Sequence, residues 1–365
     1  MAEELTLAQM TLSGGDEHDA ALQEAVRSSL VARDAAAFRE ALAKHGETAS
    51  SETAAARLRF LMNWFHQWQQ EYEAFVEVLE AELADAGEDE GEEGEDDESE
   101  KDAEEPVTRD VQFVEKDLEE LEEEAHEVFE GFSVVARVLV EEVPDVDALL
   151  DKHGWTLLMQ AANSGLRDLV DALLAKGVDV NNGGTEKEGA TPLYLAVSSA
   201  HTNEAMLLLK NGAILSATKV VTTILEADEA DEGEEASKPH VEEDCAWLQA
   251  CRLGQLAVIE EMIALGVDVN FALPDSGDCA LHVAMMFEMQ DVVELLVANE
   301  KTQVGVKNNS GQTCLFGCSN LELVKFIVEK GADPRVTDVD GETAYSVADA
   351  MGDTDVAAFL KPLSS

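Results

Sequence analysis

The apolar residues of the chain follow two different helical patterns, one in each half. In the N-terminal half, two long segments carry apolar residues that alternate three and four positions apart. These residues are Leu58, Leu61, Phe65, Trp68, Tyr72, Phe75 and Leu79 in the first segment, and Val114, Leu118, Leu121, Ala125, Val128, Phe132 and Val135 in the second. Such spacing places the apolar residues along one face of a helix. The pattern therefore predicts two long amphipathic helices within residues 48–142.

The two predicted helices are separated by an acidic segment, residues 82–106. Its composition cannot repay the entropy of ordering, so we expect it to be disordered. Because both apolar faces are present on one chain, we expect the helices to fold back as an antiparallel hairpin. The alternative is that the faces pair with another molecule. Residues 1–47 are predicted to form a tail with short helices.

The C-terminal half repeats one unit, best formed at residues 189–213. A Gly-x-Thr-Pro-Leu turn opens a short apolar helix, and a polar turn leads to a second apolar helix that ends at Gly212-Ala213. The unit recurs after Gly154, Gly277, Gly311 and Gly341, and without its opening turn at Trp247. One unit cannot bury its apolar side alone, so the pattern predicts a stack of units.

The motifs of these units resemble the ankyrin-repeat family across residues 143–360. They are Thr191-Pro192-Leu193, Ala280-Leu281-His282-Val283-Ala284, and the tails at residues 177–181, 266–270 and 331–334. The resemblance implies an all-α ankyrin-repeat solenoid of helix-turn-helix repeats with hairpin loops along one edge. It also implies a concave face formed by the first helices, and the usual activity of holding another protein.

The chain departs from the family pattern in three places. The histidine usual after Thr-Pro-Leu occurs here as His282 alone, and the unit at residues 311–331 is roughly three residues short, which should truncate its first helix or tighten its helix turn. An acidic insertion, residues 215–244, is expected to form a loop between a first block of repeats (143–214) and a second (245–365). We favour one continuous stack, because Ile214 and Trp247 offer apolar surface at the join; the alternative is two short blocks.

The formal net charge of −54 restricts the class of partner. Nucleic acids and anionic membranes require clustered cations, so we expect neither as a partner, whereas a basic protein is compatible. The five cysteines are odd in number and lie mostly in apolar helical pattern, and no apolar signal segment follows the acidic N-terminus. These features favour reduced thiols and a cytoplasmic or nuclear location.

We expect no enzymatic activity, cofactor or metal site. The chain lacks a His-Glu-x-x-His, a Gly-x-Ser-x-Gly and a phosphate-binding loop. Cys314 and Cys318 lie one helical turn apart without a second ligand pair, and so are interpreted as core residues.

The candidate binding residues occupy the ends of the first helices and the tips of the hairpin loops. On the concave face the aligned units place Gln160, Asn163, Ser164, Ser198, Ser199, Arg252, Leu253, Met286 and Phe287. At the loop tips the candidates include Lys187 and Lys307. Leu253, Met286 and Phe287 are apolar where polar residues are expected, which is typical of an interface; the alternative is that Phe287 packs under the shortened unit.

Two functions are consistent with these features. The first is a non-enzymatic scaffold or adaptor that binds a partner protein on the repeats, acting alone or as a subunit of a larger complex. The second is an acidic escort for a basic client such as a histone or ribosomal protein. The sequence does not identify the partner.

Overall fold

The computed structural model describes residues 143–185, 189–216, 218–223 and 240–364 without interruption, together with part of residues 55–81 and 125–141. The chain divides into two compact units, Met1–Lys152 and His153–Ser365. The predicted tail at residues 1–47, the acidic linker 82–106 and the acidic run 226–235 lie outside the described residues.

The first unit contains two packed helical segments. Phe65 of the first segment stacks on Phe132 of the second, with ring centroids 3.8 Å apart, and meets the edge of Phe129 at 5.6 Å. Asn63, which precedes Phe65, accepts a hydrogen bond from the amide of Lys152 at 2.6 Å, whereas the later Tyr72 meets the earlier Phe129 at 6.4 Å. The earlier residues of the first segment therefore contact the later residues of the second, as in an antiparallel pair.

The second unit consists of two-helix repeats and one β-hairpin. The helices are α1 Leu157–Asn163, α2 Arg167–Lys176, α3 Pro192–Ser198, α4 Thr202–Lys210, α5 Ala246–Arg252, α6 Leu256–Ala264, α7 Ala280–Met286, α8 Gln290–Ala298, α9 Leu321–Glu329, α10 Ala344–Met351 and α11 Thr354–Leu360. The strands are β1 Thr218–Thr223 and β2 His240–Cys245. We call α1, α3, α5, α7 and α10 the inner helices, since each is the first of its repeat. The all-α solenoid predicted from the sequence is confirmed, with the hairpin as an addition.

Three of the inner helices, α1, α3 and α10, begin at a capping threonine. The hydroxyl oxygen of Thr156 accepts a hydrogen bond from the amide of Met159 at 3.1 Å, and that of Thr191 accepts one from Tyr194 at 3.2 Å. Each bond satisfies an amide that has no partner inside its helix. Pro192 occupies the first turn of α3, where its missing N–H costs nothing. The Gly-x-Thr-Pro-Leu pattern therefore fixes the start of a helix by local chemistry alone.

The fifth repeat has lost its inner helix. Residues 314–317 form only a turn before α9 begins at Leu321. The truncation is the first of the two outcomes that the short spacing predicts. With no helix to cap, the buried Thr313 hydroxyl has no hydrogen-bond partner among the described residues.

The two blocks of repeats stack directly on one another. Inner helix α3 packs against α5, and α4 packs against α6. Trp247 of α5 is fully buried, and the Gln255 side chain donates a hydrogen bond to the carbonyl of Val197, 2.7 Å away across the join. Elsewhere the loops are tied in series: Asn181 accepts from the amide of Ile214, and Asn270 accepts from that of Gln303, both at 2.8 Å. The described repeats thus form the continuous stack that we favour from the sequence, although of the two residues expected at the join only Trp247 is buried and Ile214 is 53% exposed.

The two ends of the insertion form paired strands, whereas the sequence predicts a loop. Instead of a loop throughout, β1 and β2 pair antiparallel in a register from Thr218 opposite Cys245 to Thr223 opposite His240. The β-branched residues of β1 favour a strand. Strand β2 contains a single β-branched residue, Val241, and residues 224–239 separate it from β1, so no local pattern reveals the pairing.

Candidate functional site

The C-terminal ends of the inner helices differ between the two blocks. Counted from the capping residue, the eighth position is Ser164 and Ser199 in the first block, but Leu253, Phe287 and Met351 in the second. These three apolar side chains are 42%, 44% and 67% exposed. This position is therefore polar in the first block and apolar in the second.

Leu253 and Phe287, together with Met286, form what we call the apolar patch. Leu253 ends α5, while Met286 and Phe287 end α7, which packs directly against α5. Met286 is 53% exposed. Phe287 is not buried under the shortened repeat as the alternative interpretation would require, since it is 44% exposed. The patch is the accessible apolar surface that the sequence predicts here.

Arg252 links the patch to the base of the β-hairpin. Its guanidinium carbon lies 5.4 Å from the centre of the Phe287 ring, a cation–π geometry. Its Nη1 also lies 2.8 Å from Oδ2 of Asp244, the penultimate residue of strand β2. The same Nη1 donates a hydrogen bond to the side chain of Gln249. Arg252 is thereby fixed between a carboxylate and an aromatic ring.

Asp244 is a buried charge with a full set of donors. Its side chain is 6% exposed, and its Oδ1 accepts the amide of Cys245 at 2.8 Å. Besides Arg252, the Tyr194 hydroxyl donates to its Oδ2 at 3.2 Å. A buried carboxylate is tolerable when it is paired and hydrogen-bonded in this way. The network joins β2 to inner helices of both blocks.

The electrostatics of this network leave Tyr194 protonated. Burial, reinforced by the negative charge of Asp244, raises the pKa of Tyr194 to about 12. A hydroxyl of such high pKa remains a hydrogen-bond donor at neutral pH and does not act as a base. Tyr194 stands where the family has a histidine, and it uses its hydroxyl for the carboxylate instead.

The polar candidates of the first block divide into two groups. Asn163 and Ser199 come together, because the serine hydroxyl donates to the amide oxygen of Asn163 at 3.1 Å; Ser164 and Ser198 are half-buried beside them. Gln160 is not a surface residue: it is 2% exposed, which corrects the prediction. It lies one turn before the end of α1, where the equivalent Leu195 and Val283 are buried as well.

The loop-tip candidates remain separate from the apolar patch. Lys307 is exposed, and its ammonium group donates to the carbonyl of Thr337 at 3.1 Å, tying one loop to the next. Lys187 lies outside the described residues. The neighbouring loop is held in the same manner, since the side chain of Asn309 donates to the carbonyls of Pro274 and Asp275.

Sequence reasoning missed Asp244 and the role of Tyr194. In the sequence Asp244 follows Glu242 and Glu243, and nothing distinguishes it from the rest of the acidic insertion. The available signal was its position directly before the capping residue of an inner helix, eight residues from Arg252, combined with a tyrosine replacing the family histidine.

Two of the buried thiols of the second unit, Cys245 and Cys314, are packing groups. Burial raises the pKa of Cys245 to about 11 and that of Cys314 to about 12, so both stay protonated at neutral pH. Across the residues with defined positions, no group of three or more His, Cys, Asp or Glu could hold a metal ion. Nor does any described helix combine the length and apolar character needed to cross a membrane.

Comparison with known proteins agrees with this architecture. A family model described as ankyrin repeats (3 copies) matches residues 127–219 and 247–338. The ankyrin repeat and KH domain-containing protein mask-1 of Caenorhabditis elegans is 29% identical over 248 residues, which cover 63% of this chain and 9% of that protein. The neurogenic locus notch homolog protein 1 of Mus musculus is 30% identical over 166 residues, 46% of this chain and 6% of its own. The chain thus spans less than a tenth of these relatives.

Among solved structures, the human ASB11 ankyrin repeat domain aligns with 64% of this chain and 94% of its own, at 22% sequence identity and a TM-score of 0.50. That likeness concerns the fold. The family model, in contrast, matches just over half of the chain by sequence, in the segments where the two-helix units stack. On this evidence the chain belongs to the ankyrin-repeat family.

Proposed function

We propose that the chain is a non-enzymatic scaffold or adaptor that holds a partner protein on the inner-helix face of its second block. The observation that carries this proposal is the apolar patch. Leu253, Met286 and Phe287 are each more than 40% exposed on adjacent inner helices, where the first block has polar residues. Adjacent exposed apolar side chains are typical of a protein interface.

The geometry around the patch favours a preformed binding surface. Arg252 is held by Asp244 and lies over Phe287, so the ring is supported before any partner arrives. A supported aromatic side chain loses little entropy on binding, which favours its use as an anchor. The ankyrin fold is in general a non-catalytic interaction module, and we assign no reaction to this chain. We further propose a cytoplasmic or nuclear site of action.

The test is affinity purification of the full chain, tagged, from cells that express it. The double variant Leu253→Ser/Phe287→Ser removes two of the three apolar side chains of the patch. Its control is Leu265→Ser, because Leu265 is 49% exposed at the end of α6, the second helix of its repeat. We expect one set of proteins to be retained by the native chain and by the control and lost from the double variant. Retention of the same set by all three would refute the assignment.

A second candidate function is suggested by the net charge of −54. An acidic escort would capture a basic client through its acidic tracts, and its binding would weaken steeply with salt. Replacement of residues 82–105 and 226–235 by neutral residues should then abolish binding. Binding that survives both the replacement and high salt would exclude the escort and leave the scaffold.

A further inference from the structure

The surroundings of the apolar patch indicate what kind of partner segment it accepts. Arg252, the cation at the patch, is already neutralised by Asp244, whose carboxylate is 2.8 Å away. It therefore contributes no net positive charge that would attract an acidic ligand. The neighbouring carboxylates, in contrast, are not neutralised.

Two exposed carboxylates lie in the same repeat as Met286 and Phe287. Glu288 directly follows Phe287, and Asp275 lies on the loop that leads into α7. Among the described residues neither carboxylate is in an ion pair. Glu288 accepts a hydrogen bond from the hydroxyl of Ser319. The surface thus combines an apolar floor with exposed carboxylates that form no ion pair among the described residues.

An inner helix of seven residues is about 10 Å long, so the loop that precedes α7 and the patch that ends it lie within reach of one partner helix. We propose that this surface binds a basic amphipathic helix of a partner protein, with the apolar side of that helix on Leu253, Met286 and Phe287 and its cations toward Asp275 and Glu288. This inference rests on the proposed function and adds the chemical class of the partner. Apolar contact supplies the affinity, and the opposite charges set the orientation and the rate of association.

The experiment uses fluorescently labelled synthetic peptides of about 18 residues, or five helical turns, with the full chain. One peptide carries Lys and Leu at amphipathic helical spacing, the second carries Glu and Leu at the same spacing, and the third carries Lys and Gln. Binding is measured by fluorescence anisotropy at about 0.15 M salt. We expect the Lys/Leu peptide to bind most tightly.

The chain variants decide whether the peptide occupies this surface. Phe287→Ser should weaken the Lys/Leu peptide by about tenfold or more. Met351→Ser, which removes an exposed apolar side chain at the equivalent position of another repeat, should change binding by less than about twofold. Asp275→Asn/Glu288→Gln should weaken binding by roughly threefold to tenfold and reduce its dependence on salt.

Each other result contradicts the inference in a distinguishable way. If the Glu/Leu peptide binds more tightly and loses affinity in Phe287→Ser, the patch is a binding surface but its partner is not basic, so the proposed function stands and this inference fails. If the Lys/Gln peptide binds as tightly as the Lys/Leu peptide and Phe287→Ser has no effect, charge alone is responsible. That outcome overturns both the inference and the use of the patch, and favours the escort.

Discussion

Arg252 serves both the stability of the second unit and the shape of its candidate binding surface. It neutralises Asp244, which is buried, and it supports the exposed ring of Phe287. Its side chain is 29% exposed, so only part of its charge is removed from water. A residue with these two roles cannot be replaced without affecting both, and the stability effect can be measured without knowing the partner.

Replacement of Arg252 by Met should destabilise the second unit by about 2 kcal/mol, because it leaves Asp244 buried with a negative charge and no cation. The matched control is Lys325→Met, which breaks the exposed pair of Lys325 with Glu322 and should cost less than about 0.5 kcal/mol. Urea unfolding followed by circular dichroism measures both. Equal unfolding midpoints for the two variants would show that Asp244 is not buried as described.

Only some of the residues of this site can be predicted from the sequence. The exposure of Leu253, Met286 and Phe287 followed from alignment of the repeats, since each unit fixes its own helix ends by local turn chemistry. The role of Asp244 could not be predicted, because it depends on a hydrogen bond from Tyr194, fifty positions away in the chain. The prediction that Gln160 lies on the surface was wrong, because alignment of the repeats gives a position along the helix but not which side of the helix faces its neighbour.

At the scale of the elements, the turn between the two helices of each repeat requires a positive φ at one residue. Gly165 and Gly254 supply it in the first and third repeats, with φ of 64° and 66°. Ala200 and Glu288 occupy the equivalent turns at 58° and 55°, where a side chain is unfavourable. The fold thus dictates the turn even where the sequence does not supply glycine.

The variant Ala200→Gly should therefore raise the free energy of unfolding by about 0.5–1 kcal/mol, since it relieves the backbone strain at an exposed turn. Gly165→Ala is the reverse control and should destabilise by more than that, because a Cβ there would also come within 2.7 Å of the His201 ring. Thermal unfolding of the two variants provides the measurement. Destabilisation by Ala200→Gly would mean that the turn is not strained.

The element pattern also shows what a sequence can reveal about a repeat fold. The threonine-capped inner helices and the truncated fifth repeat were predictable, since each depends on residues close together in the chain. The β1–β2 pairing was not, because it depends on a register between two strands that are far apart in sequence.

At the scale of the whole second unit, the join between the blocks determines whether the repeats unfold together. Trp247 is fully buried in α5, and α5 packs against α3 of the preceding block. In a stack of repeats, stability is shared through the interfaces between neighbours. The two blocks should therefore be coupled.

Trp247→Ala should destabilise the second unit by about 3 kcal/mol or more, and it should raise hydrogen-exchange rates in α3 and α4 as well as in α5 and α6. Exchange in the first unit, Met1–Lys152, serves as the internal control. Faster exchange confined to residues after the join would contradict a continuous stack.

The most direct test of the central claim is the affinity of the full chain for a partner that co-purifies with it, measured by calorimetry for the native chain, Phe287→Ser and Met351→Ser. Both variants remove one exposed apolar side chain from the same position of a repeat, so their effects on solubility are matched. If the patch holds the partner, Phe287→Ser should raise the Kd by about tenfold or more, while Met351→Ser changes it by less than about twofold. Equal Kd values for the native chain and Phe287→Ser would contradict the account.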